Sequence, residues 1–276
     1  MTQSISDFAM LVSLNIRQWS GRKLDKAVTR EVDKAHGATD GGRYNKMLVD
    51  KAHLDPIAEI AGAARAYLYK MTLPWGDNGD RMLIAKLFMD FSQSIQQFGN
   101  TFEERSKELF KVYPSLKLDA RKRLGTMYNP DDYPADIQDR FHFSTSYSPL
   151  PTENDFRVNL SKEHVDFIKR DIASKLEERQ TEAVKEVYQR VRAIVGKIHE
   201  QTSVDKRRIF DSSMENAQEF VDLLPALNFT NDPILVDIER DIRDLLVPPD
   251  RLRQDKSLRQ TTAQKADAIL ARLPWA

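Results

Sequence analysis

The sequence predicts a mainly helical α+β protein, in which a helical body carries a small three-stranded antiparallel sheet and a long antiparallel helical hairpin forms an arm. Two patterns lead to this fold class. Over most of the chain apolar residues recur every three or four positions, whereas in three short segments they alternate with polar residues. The predicted division places the body and its sheet in residues 1–160, and the arm, with C-terminal helices that pack back on the body, in residues 161–276.

Three segments have the alternation that is typical of half-buried strands. In residues 12–18 Val, Leu and Ile alternate with Ser, Asn and Arg, and residues 141–147 and 156–160 alternate in the same way. The connecting sequence SPLPTEND predicts that the last two segments form a hairpin. Because an isolated hairpin is marginally stable in water, we expect residues 12–18 to supply the third strand.

The helices of the body are predicted from apolar stripes and their end signals. A short amphipathic helix starts at Leu24 and stops in a glycine-rich loop at residues 36–42, which we expect to be mobile. The pair Asp-Pro at residues 55–56 is an N-cap signal for a second helix. A longer helix follows, with an apolar stripe that begins at Ile84, and is expected to end before Pro114.

The arm is predicted from an unusually long helical pattern. Steps of three and four persist over residues 161–201, and a helix of that length would reach on the order of 55–60 Å. We expect its charged middle, LEERQTEAVKE, to leave the body, and a helix over residues 209–224 to fold back on it. Further helices are predicted from residue 233 to the prolines at 248–249, and from there to Leu273. An apolar seam along the arm favours a homo-oligomer.

Composition narrows the class of protein. Lysine plus arginine and aspartate plus glutamate both total 42, so attraction to a polyanion must come from local patches. The chain has no cysteine, which excludes disulfides, thiolate metal sites and cysteine catalysis and favours a reducing compartment. Asp7 stands where a signal peptide would be basic, and no stretch approaches the roughly 20 apolar residues that span a bilayer. We expect a soluble cytoplasmic protein with no membrane association.

Motifs for catalysis are absent from the sequence. It contains no phosphate-binding loop, nucleophile elbow or zinc-protease motif, and its five histidines lack ligand spacing, so we expect no enzyme, cofactor or metal. The acidic residues Asp131, Asp132, Asp136 and Asp139 could in principle hold a divalent ion. Their setting between prolines favours turn and cap roles instead.

Basic residues interleaved with aromatic residues favour binding of single-stranded nucleic acid. Such binding requires cations that neutralise phosphates and aromatic faces on which bases stack. The predicted nucleic-acid-binding residues are Arg17, Trp19, Arg22, Lys23, Arg121, Lys122, Arg123, Phe141, Phe143, Tyr147 and, at the expected tip of the hairpin, Lys206, Arg207 and Arg208. In the alternative interpretation, Phe141 and Phe143 face the core and the basic triplets are solvated helix faces.

Five segments carry a resemblance to a known family: LVSLNIRQWSGRK, ARKRLGTMYNPDDYP, RFHFSTSYSPLP, DFRVNLS and FVDLLPALNFTNDP. In this order they resemble a family of uncharacterised proteins from tailed phages and mobile elements over nearly the whole chain. The sequence is also similar to the phage single-stranded-DNA-binding RNA polymerase cofactor Drc. No established functional residues come with the family.

The resemblance implies two functions. The first is non-enzymatic, sequence-tolerant binding of single-stranded DNA in phage replication or transcription, in the host cytoplasm, with RNA polymerase as a further partner. Genes of the family tend to lie beside a MoxR-type AAA+ ATPase and a von Willebrand A-domain protein. That neighbourhood implies the alternative function, an adaptor or assembly protein that works with these two partners.

Overall fold

The computed structural model describes residues 5–76, 79–152, 161–203 and 208–274. Over these residues the protein is mainly helical, with a four-stranded sheet and a separate two-stranded ribbon, which confirms the predicted class of a mainly α protein with a small antiparallel sheet. The described strands are β1 Ala9–Arg17, β2 Arg22–Leu24, β3 Asn45–Met47, β4 Leu73–Pro74, β5 Arg81–Ile84 and β6 His142–Pro149. The described helices are α1 Lys26–His36, α2 Asp55–Met71, α3 Phe88–Leu124, α4 Lys162–Ser203, α5 Asp211–Leu227, α6 Pro233–Arg243, α7 Pro249–Gln254 and α8 Lys256–Leu270.

The four-stranded sheet has the order β4-β5-β1-β6. Strands β1 and β5 are antiparallel, with Ala9 opposite Ile84, and β4 pairs antiparallel with the other edge of β5. The predicted strands at residues 12–18 and 141–147 correspond to β1 and β6, which are neighbours in this sheet. The predicted third strand, residues 156–160, lies outside the described residues.

The prediction of three strands missed β4 and β5. Ile84 was assigned to the stripe of the following helix, but it is the last residue of β5, and α3 begins at Phe88. Met82, Leu83 and Ile84 are all buried. A short strand that is buried on both faces shows no alternation, so periodicity cannot separate it from the start of a buried helix.

Two predicted helix ends in the body were also wrong. Leu24 ends β2, and α1 starts only after Asp25, whose side chain accepts hydrogen bonds from the backbone N–H groups of Ala27 and Val28. Helix α3 does not end before Pro114 but continues to Leu124. Proline removes one backbone hydrogen bond, but buried residues of α3 on both sides of it keep the helix packed on the core.

Backbone contacts divide the described chain into two compact units. Unit 1 comprises the described residues within Met1–Ser13, Met71–Met89 and Tyr147–Ala276, and unit 2 comprises Leu14–Lys70 and Asp90–Ser146. Each unit is therefore assembled from segments that are distant in sequence. The predicted domain boundary at residue 160 falls outside the described part of the chain.

The core of unit 2 lies between α2, α3 and the segment that follows α3. Its buried residues are Leu48, Val49, Leu54, Ile57, Ala61, Phe102, Leu109, Tyr113, Ala120, Leu124, Tyr133 and Ile137. Helix α1 contributes no buried residue, so it lies on the surface of this unit.

Unit 1 contains the long helix α4, whose 42 residues confirm the predicted length. The buried residues of α4 begin at Ala183, and from there the helix packs against α5 and α8. Residues 162–182 of α4 are half-buried or exposed. The connection at residues 204–207 lies outside the described residues, so the hairpin arm stays a prediction. None of the described helices is apolar enough over a sufficient length to cross a membrane.

Candidate nucleic-acid interface

The predicted binding residues do not all belong to one unit. Unit 2 contains Arg17, Trp19, Arg22, Lys23, Arg121, Lys122, Arg123, Phe141 and Phe143. Tyr147 and Arg208 belong to unit 1, and Lys206 and Arg207 lie outside the described residues. The candidate site is therefore built within unit 2.

Two of these cations lie on the short ribbon formed by β2 and β3. The strands are antiparallel, with Arg22 opposite Met47 and Lys23 opposite Lys46. Gly21 directly precedes the ribbon with a φ of 63°, and a Cβ atom there would lie 2.5 Å from Cδ1 of Leu54. Only glycine fits this close approach and this backbone conformation, which deliver Arg22 and Lys23 to an exposed position.

Three further cations lie in the last turn of α3. Arg121, Lys122 and Arg123 are exposed, whereas Ala120 and Leu124 on either side of them are buried. Cations near a helix C-terminus also interact favourably with the helix dipole, by about 0.3–1 kcal/mol each. Stabilisation of the helix therefore explains in part why three basic residues follow one another here, independently of any ligand.

A hydrogen bond joins the last turn of α3 to the ribbon. One guanidinium nitrogen of Arg123, Nη2, donates to the carbonyl oxygen of Met47 over 2.6 Å, across 76 residues of sequence. Met47 is the ladder partner of Arg22, and residues opposite each other in an antiparallel ladder have Cα atoms about 4.5–5.5 Å apart. We call the resulting set Arg22, Lys23, Arg121, Lys122 and Arg123 the basic surface.

A buried lysine fixes the ribbon beneath this surface. Nζ of Lys46 lies 2.7 Å from a carboxylate oxygen of Asp132 and 3.3 Å from one of Asp25, and it donates to the carbonyl oxygen of Met127 over 2.7 Å. Burial alone would lower the pKa of Lys46, but its hydrogen bonds to Asp132 and Asp25 raise the pKa above the ordinary value. A hydrogen bond from the N–H of Val28, with attraction to Lys46, lowers the pKa of Asp25. Lys46 is thus a structural cation and is not available to a ligand.

Arg17 has a separate environment. It is exposed at the end of β1, and its Nη2 donates to the carbonyl oxygen of Asp139 over 2.7 Å. Together with Asn15, Ile16 and His142 it lines a shallow depression of about 300 Å³. No contact in the described part of the chain joins Arg17 to the basic surface, so we leave it out of that set.

The predicted stacking residues of unit 2 are packed on core rings. The ring centroid of Phe143 lies 5.6 Å from that of Phe102, and the ring of Phe141 lies 5.4 Å from that of Phe110. Trp19 meets Tyr113 edge to face at 5.7 Å. All three predicted residues are half-buried against the core of unit 2. For Phe141 and Phe143 this is the core-facing geometry of the alternative interpretation.

The two predicted residues in unit 1 are more open. Tyr147 is 42% exposed and packs edge to face on Phe88 at 5.5 Å, and partial burial raises the pKa of its phenol. The guanidinium of Arg208 lies over the ring of Phe210 at 5.1 Å. Each therefore makes a local contact within its own unit.

Sequence reasoning missed an aromatic residue and a cation beside the ribbon. Arg43 and Tyr44 directly precede β3, and both are exposed. The predicted glycine-rich loop ended at residue 42, and no role was predicted for Arg43 or Tyr44. The available signal was the Arg-Tyr pair that follows Gly41 and Gly42, but its place beside β2 becomes visible only once the β2–β3 pairing is known.

Two of the acidic residues after α3, Asp132 and Asp136, take structural roles. Asp132 pairs with Lys46, and the carboxylate of Asp136 accepts a hydrogen bond from the N–H of Gln138 over 2.8 Å. In the described ranges, no three histidine, aspartate or glutamate side chains are arranged to hold a metal ion.

No protein-family model, curated protein or solved structure matches the chain. The resemblance to phage and mobile-element proteins stays a prediction. The candidate function consequently depends on the geometry of unit 2.

Proposed function

We propose that the protein is a non-enzymatic, sequence-tolerant single-stranded-DNA-binding protein, and that the basic surface of unit 2 holds the phosphates. The observation that carries this proposal is the hydrogen bond from Arg123 to the carbonyl of Met47, because it brings two basic segments together that the sequence separates. The proposed setting is phage replication or transcription in the host cytoplasm, with RNA polymerase as a further partner.

The charges of this set favour an anionic ligand such as a phosphate. The chain as a whole is neutral, so any attraction to a polyanion must come from a local set of cations such as these five. Arg123 uses one nitrogen on Met47, and a guanidinium has five N–H donors, so it can still contact a phosphate. Phosphate contacts carry no sequence information, which is why we expect little sequence preference.

The salt dependence of binding tests the proposal. On single strands the logarithm of the binding constant falls with the logarithm of salt concentration by about 0.7 for each phosphate contacted, so five contacts give a slope of about −3.5. The measurement is fluorescence anisotropy of a labelled oligo-dT of about 30 nucleotides, which exceeds the site size of a single binding module. A duplex competitor added at each salt concentration reports the preference for single strands.

Arg121 and Lys122 are the most informative residues to change. Both are exposed, and no hydrogen bond or ion pair of either side chain is seen in the described part of the chain. The double variant Arg121→Ala/Lys122→Ala should bind more weakly and lower the slope by about 1.4. Arg251→Ala/Lys265→Ala removes the same two kinds of charge from exposed positions in unit 1 and should leave the slope unchanged. Equal slopes for the first variant and the wild type would overturn the proposal, as would no binding at micromolar protein in low salt.

A second candidate function is that of an adaptor or assembly protein. It is favoured by Phe167, which is 64% exposed on the N-terminal part of α4, beside the half-buried apolar residues Val165, Ile168 and Ile172. An amphipathic helix of this kind can lay its apolar face in a groove of a partner. The partners under this alternative are a MoxR-type AAA+ ATPase and a von Willebrand A-domain protein, or a second copy of the chain that pairs through the arm.

The adaptor function is tested with purified components. Co-purification with the ATPase should be lost on Phe167→Ser and kept on Val236→Ser, which removes an exposed apolar side chain from α6 of the same unit. Light scattering after size exclusion measures self-association of the wild type. The same measurement shows whether Phe167→Ser loses self-association and Val236→Ser keeps it. Retention of the partner by both variants would contradict a role of Phe167.

A further inference from the structure

An exposed tyrosine lines a cavity directly beside the basic surface. Tyr44 is 40% exposed, and the cavity between α1 and residues 38–44 measures about 330 Å³. Its lining includes Thr29, Val32, Asp33, His36, Arg43 and Tyr44. Its volume lies at the lower end of the range of about 300–1,000 Å³ that is usual for sites of small ligands.

The walls of the cavity are held in place by hydrogen bonds to α1. The hydroxyl of Thr29 accepts from the N–H of Tyr44 over 3.0 Å, and the carboxylate of Asp33 accepts from the N–H of Gly41 over 3.3 Å. The carbonyl of Asp33 accepts from the N–H of Ala38 over 2.8 Å. The loop opposite α1 is therefore positioned before any ligand arrives, which reduces the entropy lost on binding.

The cavity adjoins the ribbon that carries two cations of the basic surface. The carbonyl oxygen of Tyr44 accepts a hydrogen bond of 2.9 Å from the N–H of Asp25, the residue after β2. One residue earlier, Leu24 is the ladder partner of Asn45, and Lys23 precedes it on the same strand. Lys23 therefore lies two residues along the ribbon, about 7 Å, from the residue that donates to Tyr44.

The lining favours a neutral aromatic group inside and a phosphate at the rim. The carboxylate of Asp33 faces the cavity and would repel a phosphate there, whereas the ring of Tyr44 and the side chain of Val32 offer apolar surface. The exposed guanidinium of Arg43 supplies a cation at the edge. His36 also lines the cavity and offers a ring nitrogen to a polar edge of a base.

We propose that this cavity receives one nucleobase of a bound single strand, with the ring of Tyr44 as its stacking partner and Arg43 on the adjoining phosphate. This inference deepens the proposed function and rests on it. It also provides unit 2 with an exposed stacking residue, whereas Phe141, Phe143 and Trp19 are packed on other rings.

Substitutions of Tyr44 separate the contribution of stacking to DNA affinity from the contribution of charge. Tyr44→Leu should weaken binding of oligo-dT by about 5- to 150-fold, the effect of losing one base–aromatic stack, and leave the salt slope unchanged because no phosphate contact is lost. Tyr44→Phe keeps the ring and should bind nearly as the wild type does. Tyr69→Leu removes another exposed tyrosine of unit 2 and serves as the matched control. Circular dichroism checks that all three variants are folded.

The outcomes distinguish this inference from the proposed function. If the wild type binds oligo-dT with the expected salt slope and Tyr44→Leu binds equally well, the cavity is not a base site. The proposed binding of phosphates by the basic surface is then unaffected. If the wild type does not bind oligo-dT, the proposed function fails. Saturation-transfer NMR with thymidine 5′-monophosphate then tests whether the cavity binds a nucleobase. A signal that is lost in Tyr44→Leu supports the base site, and no signal with the wild type overturns it.

Discussion

Replacement of Lys46 by methionine tests how the ribbon is held. The side chains of Lys46, Asp25 and Asp132 are 7%, 12% and 11% exposed, so the substitution leaves two carboxylates without their cation in a mostly buried position. It also removes the donor to the carbonyl of Met127. Removing one partner from a covered polar group costs about 1–3 kcal/mol, and we expect Lys46→Met to lower the free energy of unfolding by about this amount.

The assay is urea unfolding followed by circular dichroism, with Lys46→Met compared with Lys46→Met/Asp132→Asn. The second variant removes one orphaned carboxylate as well and should recover part of the loss. A change of less than about 0.5 kcal/mol in the single variant, the size of an ordinary surface substitution, would refute the role of Lys46 in holding the ribbon.

The difference in the free energy of unfolding between wild type and Lys46→Met should depend on pH in a direction set by two pKa shifts. The pKa of Asp25 is lowered from 3.8 in the folded protein, so its contribution is complete above that value and is lost as the pH falls below it. The pKa of Lys46 is raised from 10.5, so its contribution is complete below that value and is lost at higher pH. The stability gap between wild type and Lys46→Met should therefore be widest between these two limits and should narrow on either side.

Two further predictions concern the frame of unit 2. Gly21→Ala should destabilise by more than about 1 kcal/mol in urea unfolding, because it combines a φ of 63° with a clash on Leu54, whereas Gly62→Ala, in a helix with open space around it, should be neutral or stabilising. Burial raises the pKa of Tyr113 and of Tyr133 to about 12, so in a spectrophotometric titration both should ionise after exposed tyrosines. Because the unfolded chain loses these protons first, stability should fall as the pH rises above about 10.

The elements with a clear period were predictable from the sequence. The alternation in residues 12–18 identified β1, and the steps of three and four identified α4 to within a few residues of each end. The predicted helix start at residue 233 is confirmed by α6, which Asp232 caps by accepting a hydrogen bond from the N–H of Ile234. Patterns of this kind depend only on which face of an element is buried.

The elements that sequence reasoning missed depend on contacts between distant residues. Strand β5 is short and wholly apolar from Met82, so only its pairing with β1 distinguishes it from a helix. Helix α3 continues past Pro114 because its packing outweighs one lost hydrogen bond. Tertiary context decided both cases, and local propensity could not reveal it.

The candidate site was predictable in composition but not in arrangement. The basic character of residues 121–123 is visible in the sequence, and so is that of Arg22 and Lys23. Their common surface follows from the pairing of β2 with β3, whose three residues are too few to show a period. The position of Tyr44 follows from the same ribbon.

Lysine footprinting tests most directly that the basic surface holds DNA. The protein is treated with acetic anhydride, free and saturated with oligo-dT, and the modification of each lysine is measured by mass spectrometry. Lys23 and Lys122, both exposed, should be protected together in the complex, while the exposed Lys265 of unit 1 reacts at its free rate. Full modification of Lys23 and Lys122 in the saturated complex would contradict binding at the basic surface.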